Sequence, residues 1–213
     1  MPRIGTLVLS AAGSSFGGPE LPFRFDAAAH VYTALDTGEE LPHITGMLEH
    51  VGLVDSRWYT LDSQFRGSCV HRLTADYDLG AITDVATVTS AFSGWLQAHD
   101  DFMRRVKPKV IAVEEPCVHA YYRYGCRPDR VERLYSLLSV VEIKSGVPEF
   151  AHQIQTALQA LAVAQEHGDG MPAEMWGRFA LYLKENGKWF LEQHRNLKDF
   201  DQAREIIHEC CHR

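Results

Sequence analysis

Asp129 follows Pro128, and thirteen residues later the triplet Glu142-Ile143-Lys144 runs into Ser145-Gly146. Residues two apart on a strand project to the same face. Glu142 and Lys144 therefore belong together, and Ile143 points to the opposite face, into the core. Two carboxylates held close repel unless a cation lies between them, and oxygen donors of this kind suit Mg²⁺ or Mn²⁺. A lysine beside such a pair makes sense where an anion also binds, because its ammonium positions a water or hydroxide and neutralises charge on a reacting phosphate. The chemistry expected is metal-assisted attack of water or hydroxide at a phosphate. An ExK triplet is common by itself, and the plain alternative is a surface Asp with a Glu–Lys pair on an ordinary strand. Lys144 ends the most apolar segment of the middle region, where a buried charge must be paired, and Gly146 permits a sharp exit.

The elements that must hold these residues follow from periodicity and turn chemistry. The stretch VIAVEEPCVHAYYRY, then RPDRVERLY, then SLLSVVEIKSG reads as three strands, the last buried on both faces. A helix opens at Pro148-Glu149 and runs to about His167, with apolar Phe150, Ile154, Ala157, Leu158, Leu161 and Ala162. RFALYLKENGKWFLEQ reads as a hairpin with a tight type I′ turn at Asn186-Gly187. A final helix covers Leu197 to about Cys211. Upstream, HVYTALDTGEELPHIT suggests two short strands around a Thr-Gly turn, followed by a helix from near Thr45 with apolar Met47, Leu48, Val51 and Leu53. Further helices are expected over Ser56–Leu79, carrying Trp58, Leu61, Phe65, Cys69, Val70 and Leu73, and over Val88–Val106, ending at Pro108. The order implies one α/β domain over residues 1–213, with a mixed central sheet flanked by helices.

Those motifs, taken in order, resemble the PD-(D/E)xK phosphodiesterase superfamily, and within it the RecB-type and phage-exonuclease branch. The resemblance rests on PDRV before EIKSG, on Gly67-Ser68-Cys69-Val70-His71 as a GxxxH helix, and on Gln155 to Gln159 as a QxxxY helix with glutamine in the tyrosine position. HVYTALDTGEELPHITGML is also similar to the N-terminal hairpin of such proteins, with His43 where a serine is frequent. It spans roughly residues 30–164 and implies a restriction-endonuclease-like core. It further implies that His71, Asp129, Glu142 and the Ile143 backbone carbonyl bind the metal, with Lys144 as the catalytic lysine. Gln155 would steady Lys144 or a phosphate. One more acidic residue is expected from VIAVEEPC, either Glu114 or Glu115, with Glu114 the better match. Gly67 would let its helix approach the sheet closely. The activity implied is that of an Mg²⁺- or Mn²⁺-dependent deoxyribonuclease, and the setting implied is exonucleolytic resection for a single-strand-annealing partner in phage-type recombination. No iron–sulfur cluster is expected, because only Cys210 and Cys211 follow the QxxxY helix.

Composition bounds these readings. The chain has 213 residues, 46% of them hydrophobic, which suits a single domain with a sizeable core. A net charge of −7 argues against coating nucleic acid by bulk charge, though not against a local basic groove. The segment Tyr121–Tyr135 mixes Arg123, Arg127, Arg130 and Arg133 with tyrosines. It serves equally as a phosphate-contacting and base-stacking surface or as a solvated strand face. The five cysteines are odd in number and lack a CxxC, so neither a disulfide framework nor a zinc knuckle is indicated, and reduced thiols in a cytoplasm fit best. His208, Cys210, Cys211 and His212 scatter around a helix and make a poor zinc site. His152 and Gln153 are expected in solvent. The opening IGTLVLSAAG is short and interrupted, and reads as an edge strand rather than a secretion signal. No membrane span is expected, and self-association is left open. The rival reading is a non-cutting nucleic-acid-binding or assembly subunit that keeps the nuclease fold, and a third is a helix-rich interaction protein. A divalent-ion site at Asp129 and Glu142 is required only by the first reading.

Overall fold

The computed structural model describes residues 22–55, 57, 60–167 and 170–211. The opening IGTLVLSAAG, Trp58 and His212 lie outside them. The central sheet has the order β10-β9-β8-β7-β4. Its strands are β4 (Lys109–Val113), β7 (Arg130–Leu134), β8 (Leu137–Lys144), β9 (Gly177–Leu183) and β10 (Trp189–Gln193). Only β8 and β9 pair in parallel; every other neighbour is antiparallel. The sheet is therefore mixed and helix-flanked, as its sequence pattern predicts.

A parallel pair needs a crossover, and α4 (Phe150–His167) supplies it. Helix α4, with α1 (Ile44–His50) and α5 (Lys198–Cys211), packs over one face of the sheet around Val131, Val140, Ile154 and Leu158. Helix α3 (Ser93–Val106), with α2 (Leu61–Asp78), covers the other face around Phe102, Val141, Ile143 and Leu181. Adjacent β8 residues thus enter different cores, which is why this strand is apolar almost throughout.

The region predicted as three strands holds five. The first segment breaks into β4, β5 (Cys117–His119) and β6 (Tyr124–Cys126). Glu114 adopts φ +50° and Pro116 follows, so the chain leaves the central sheet, makes a separate two-stranded hairpin and returns at Asp129. Tyr124 donates a 2.7 Å hydrogen bond from its hydroxyl to the Leu158 carbonyl, which ties this hairpin to α4.

The two strands expected around the Thr37-Gly38 turn are present as β2 (Val31–Ala34) and β3 (Glu40–Leu41), and β1 (Phe23–Asp26), which was not expected, pairs with β2 to make a three-stranded sheet. Tyr32 lies so close over Gly125 of β6 that any Cβ there would overlap its ring. His43 caps α1, its Nδ1 accepting the Gly46 N–H at 3.3 Å, so the imidazole does the work a serine does at a helix start.

Three local expectations change. The β9–β10 turn is not type I′, which needs two positive φ values. Among its residues only Gly187 is positive, at +76°. Gly187 N–H donates to the Lys184 carbonyl (3.1 Å) and Lys184 N–H to the Lys188 carbonyl (2.9 Å), a three-residue loop closed by a bulged glycine. Helix α2 begins at Leu61, capped by Thr60, and is not amphipathic toward the core; Val70 and Thr74 are buried, while Leu61 and Phe65 are exposed. Helix α3 begins at Ser93 rather than Val88, after a short 3₁₀ turn over Val85–Thr87. Among the described residues no helix is long and apolar enough to cross a membrane.

The sequence offers Arg130 as a nucleic-acid contact; the fold instead buries it completely. Its guanidinium lies 3.0 Å from Glu132, 3.4 Å from Asp78 and over the Phe102 ring, and Asp78 also bonds His99 at 2.8 Å. The alternation of β7 sends Arg130 toward α2 and α3, away from solvent. Removing this cation leaves two buried carboxylates without compensation. Arg130→Ala is expected to lower unfolding free energy by about 3–5 kcal/mol, read by urea denaturation. A loss under 1 kcal/mol would contradict the assigned role.

Candidate functional site

Asp129 sits one residue before β7, at the point where the hairpin excursion rejoins the sheet, and is 7% exposed. Its Oδ2 accepts the Ile143 N–H at 2.6 Å, and its Oδ1 lies 2.8 Å from His71 Nδ1. Its own carbonyl accepts the Glu114 N–H at 3.1 Å. The β7–β8 ladder ends at Arg130–Val141, so the Ile143 peptide has no strand partner on that side and the carboxylate takes the N–H instead. The Ile143 carbonyl lies on the same edge of the strand.

Glu142 and Lys144 share a face, as their spacing requires, with Lys144 Nζ 3.1 Å from Glu142 Oε2. Two glutamines one turn apart on α4 meet this face. Gln155 Oε1 accepts from Lys144 Nζ at 3.0 Å, and Gln159 Nε2 donates to Glu142 Oε1. Glu114 is brought in by its left-handed backbone and pairs with Arg127 at 2.8 Å. Glu115, the alternative, faces solvent. These groups line one open cleft of about 930 Å³, walled on its far side by Gln64, Ser68 and Arg72 of α2.

Among the described residues, one set of three metal-capable side chains converges: His71, Glu114 and Asp129, with ligand atoms within 4.8 Å of one another. His71 and Asp129 of the expected ligands are in this set together with Glu114, and Glu142 lies beside it with its two oxygens engaged by Lys144 and Gln159. Gly67 departs from its expected role: a Cβ there would meet nothing within 4 Å, so it keeps the cleft wall free of a side chain rather than admitting close packing.

The three arginines offered as a nucleic-acid surface do not form one. Arg127 lines the cleft. Arg123 points elsewhere, toward Asp36 at 3.0 Å and Glu39 at 3.7 Å, and Arg130 is buried. The cations on the cleft wall are Arg72, Arg127 and Lys144, and two of them are not neighbours of the Tyr121–Tyr135 stretch in sequence. His152 and Gln153 are half-buried rather than fully in solvent; His152 Nδ1 lies 2.9 Å from the Tyr182 hydroxyl, and the Gln153 backbone carbonyl accepts from Arg178 at 3.0 Å. Sequence reasoning missed the role of Gln159. Its four-residue spacing from Gln155, on a helix that must cover β8, was the available signal.

The electrostatics show a crowded acidic site. Burial and then the charge of Asp129 push the Glu114 carboxyl up to about 7 and also raise Glu142. Burial works against charge on His71 as well, but the Asp129 carboxylate outweighs it and pushes the imidazole up to about 9. Burial likewise opposes charge on Asp129, yet His71 holds it below the usual range. Protons therefore sit where a divalent cation would relieve the same repulsion. Two carboxylate oxygens and an imidazole nitrogen are donors that fit such an ion.

A scan against models of protein families finds no match, and no curated protein matches the chain at a significant level.

A pH dependence follows for the metal-free protein. His71 gains a proton on folding, so its stabilisation is complete below pH 6.5 and disappears as pH rises through about 9. Glu114 acts with the same sign between 4.5 and about 7. Burial depresses His119, His152 and His194 to about 4, 3 and 4, so their contribution is present above 6.5 and lost as pH falls. Thermal melts in EDTA should peak near neutrality and decline from pH 7 to 9 by an equivalent of roughly 2–3 kcal/mol. His71→Gln should flatten that decline. A wild-type midpoint constant across pH 7–9 would show that His71 is neutral in the fold.

Proposed function

We propose that this protein is an Mg²⁺- or Mn²⁺-dependent deoxyribonuclease that hydrolyses DNA phosphodiester bonds. The observation that supports it best is the convergence of His71, Glu114 and Asp129 in an open cleft, with Lys144 held beside them by Glu142 and Gln155. Its likeness to the PD-(D/E)xK pattern points the same way, and so does the engagement of the glutamine that replaces the usual tyrosine: Gln159 bonds Glu142 directly.

Asp129, Glu114 and His71 would hold a divalent ion there, which when bound would lower the pKa of a water and polarise the scissile phosphate. Lys144 holds the attacking hydroxide or a non-bridging phosphate oxygen and offsets the charge that grows there. Gln155 and Glu142 fix the lysine. In-line attack by that hydroxide would form the new phosphorus–oxygen bond as the bond to the 3′ oxygen breaks; the 3′ oxygen takes a proton from solvent water and leaves as a hydroxyl, and the phosphate stays on the 5′ side. Arg127 and Arg72 contact neighbouring phosphates. The cellular setting we favour is cytoplasmic phage-type recombination, with a single-strand-annealing protein as the consumer of the resected strand.

The test is digestion of end-labelled linear DNA and closed circular DNA with Mg²⁺, Mn²⁺ or EDTA. Cutting should require the ion and, because imidazole is a ligand, should begin at lower Mn²⁺ than Mg²⁺ concentration. Lys144→Ala should slow single-turnover cutting by about 10²–10³-fold with DNA affinity retained. Absence of cutting under every ion, or an unimpaired Lys144→Ala enzyme, would refute the proposal.

Gln159 gives a separate expectation. Its hydrogen bond lowers the Glu142 pKa against the effect of burial. Gln159→Ala should therefore move the acid limb of the pH–rate profile to higher pH, while the rate at the alkaline plateau changes much less. An unshifted acid limb would separate Gln159 from the ionisation of Glu142.

A further inference from the structure

Cys117 and Cys126 are register partners across the β5–β6 hairpin. Directly opposed residues of an antiparallel pair have Cα atoms about 4.5–5.5 Å apart, within the range a disulfide spans. Their sulfurs already lie 3.1 Å from each other, and each residue is 3% exposed. The other three cysteines have no such placement: Cys69 is on α2, and Cys210 and Cys211 are adjacent on α5.

The position of the pair in the chain gives it a consequence. The excursion between β4 and β7 leaves the sheet at Glu114 and returns at Asp129, closed at its neck by the Glu114 N–H to Asp129 carbonyl bond and by the Glu114–Arg127 ion pair. Cys117 lies three residues inside one end of the neck, and Cys126 lies one residue before Arg127. A bond between them would fix the two strands that deliver Glu114, Arg127 and Asp129.

We propose that Cys117 and Cys126 form a disulfide that staples this hairpin under oxidising conditions. With a low-molecular-weight disulfide as oxidant, one cysteine thiolate attacks it and expels one small thiolate. The second cysteine then attacks the mixed disulfide and expels the other. Two protein thiols become one disulfide, two electrons pass to the oxidant, and two small thiols are released. Cys126 borders the cleft, which gives a small oxidant its approach. The Cys117 thiol is held protonated by its hydrogen bond with the Cys126 sulfur and by burial, so exchange in the folded chain is slow and the bond closes most readily during folding.

The experiment is refolding of the full chain in a mixture of reduced and oxidised glutathione, then alkylation and tryptic mapping without reduction. Arg123 lies between the two cysteines, so cleavage leaves peptides 110–123 and 124–130 joined only if the bond exists. The expected result is that linked pair, with two of the five thiols lost, and a thermal midpoint about 5–10 °C above that of the dithiothreitol-treated chain. Cys126→Ala should melt at one temperature under both conditions. Alkylation of all five thiols, a crosslink confined to Cys210 and Cys211, or a linked pair with no gain in midpoint would overturn the proposal.

Discussion

The Asp129 carboxylate holds together three parts of the chain that are distant in sequence. One oxygen takes the Ile143 N–H beyond the last rung of β7–β8, the other meets His71 on α2, and the residue's carbonyl receives the Glu114 N–H. A helix on one face of the sheet, the central strand and the end of β4 are thereby fixed against each other at one point. Charge-assisted hydrogen bonds to a buried carboxylate are the strong kind, and the group would be costly to bury without them. The cleft exists because these partners are polar and converge, while the apolar cores lie to either side.

Around that carboxylate the sheet sorts charge by strand periodicity. Asp129 is followed by Arg130, which turns to the α2–α3 side and is closed in by Asp78, Glu132 and Phe102. Glu142 and Lys144 turn to the α4 side and meet Gln155 and Gln159. Between them Ile143 fills the opposite core. Two polar clusters separated by one strand thus have different characters. The first is sealed around a single cation, Arg130. The second opens on a cleft, and burial together with mutual repulsion raises the Glu114 and Glu142 carboxyls. Carboxylates that repel one another in this way are stabilised by a cation between them.

The hairpin excursion contributes the remaining part. Glu114 reaches the cleft only because its backbone is left-handed, and that conformation is held by the turn away from the sheet before Pro116. Strain of this sort persists where surrounding structure fixes it. Here the Tyr124–Leu158 bond to α4 and the packing of Tyr32 on Gly125 hold the hairpin from two sides.

The sequence by itself determined whatever depends on local period. The two-residue step from Glu142 to Lys144 puts both on one face, the apolar run of β8 implies burial on both sides, and the spacing in α4 implies a helix that covers it. The mixed, helix-flanked sheet was legible for that reason. Tertiary structure decided the rest, because it depends on contacts between segments far apart. Arg123, Arg127 and Arg130 look alike in the chain, yet one pairs with the N-terminal sheet, one lines the cleft and one is sealed inside. Which glutamate follows β4 into the site depends on a single positive φ. Gln159 gains its role from the carboxylate opposite it, not from its neighbours in sequence. The eight residues between Cys117 and Cys126 carry no motif, and only the register of β5 on β6 brings the sulfurs together. Periodicity fixes which way a side chain points; what it meets there is set by how the layers pack.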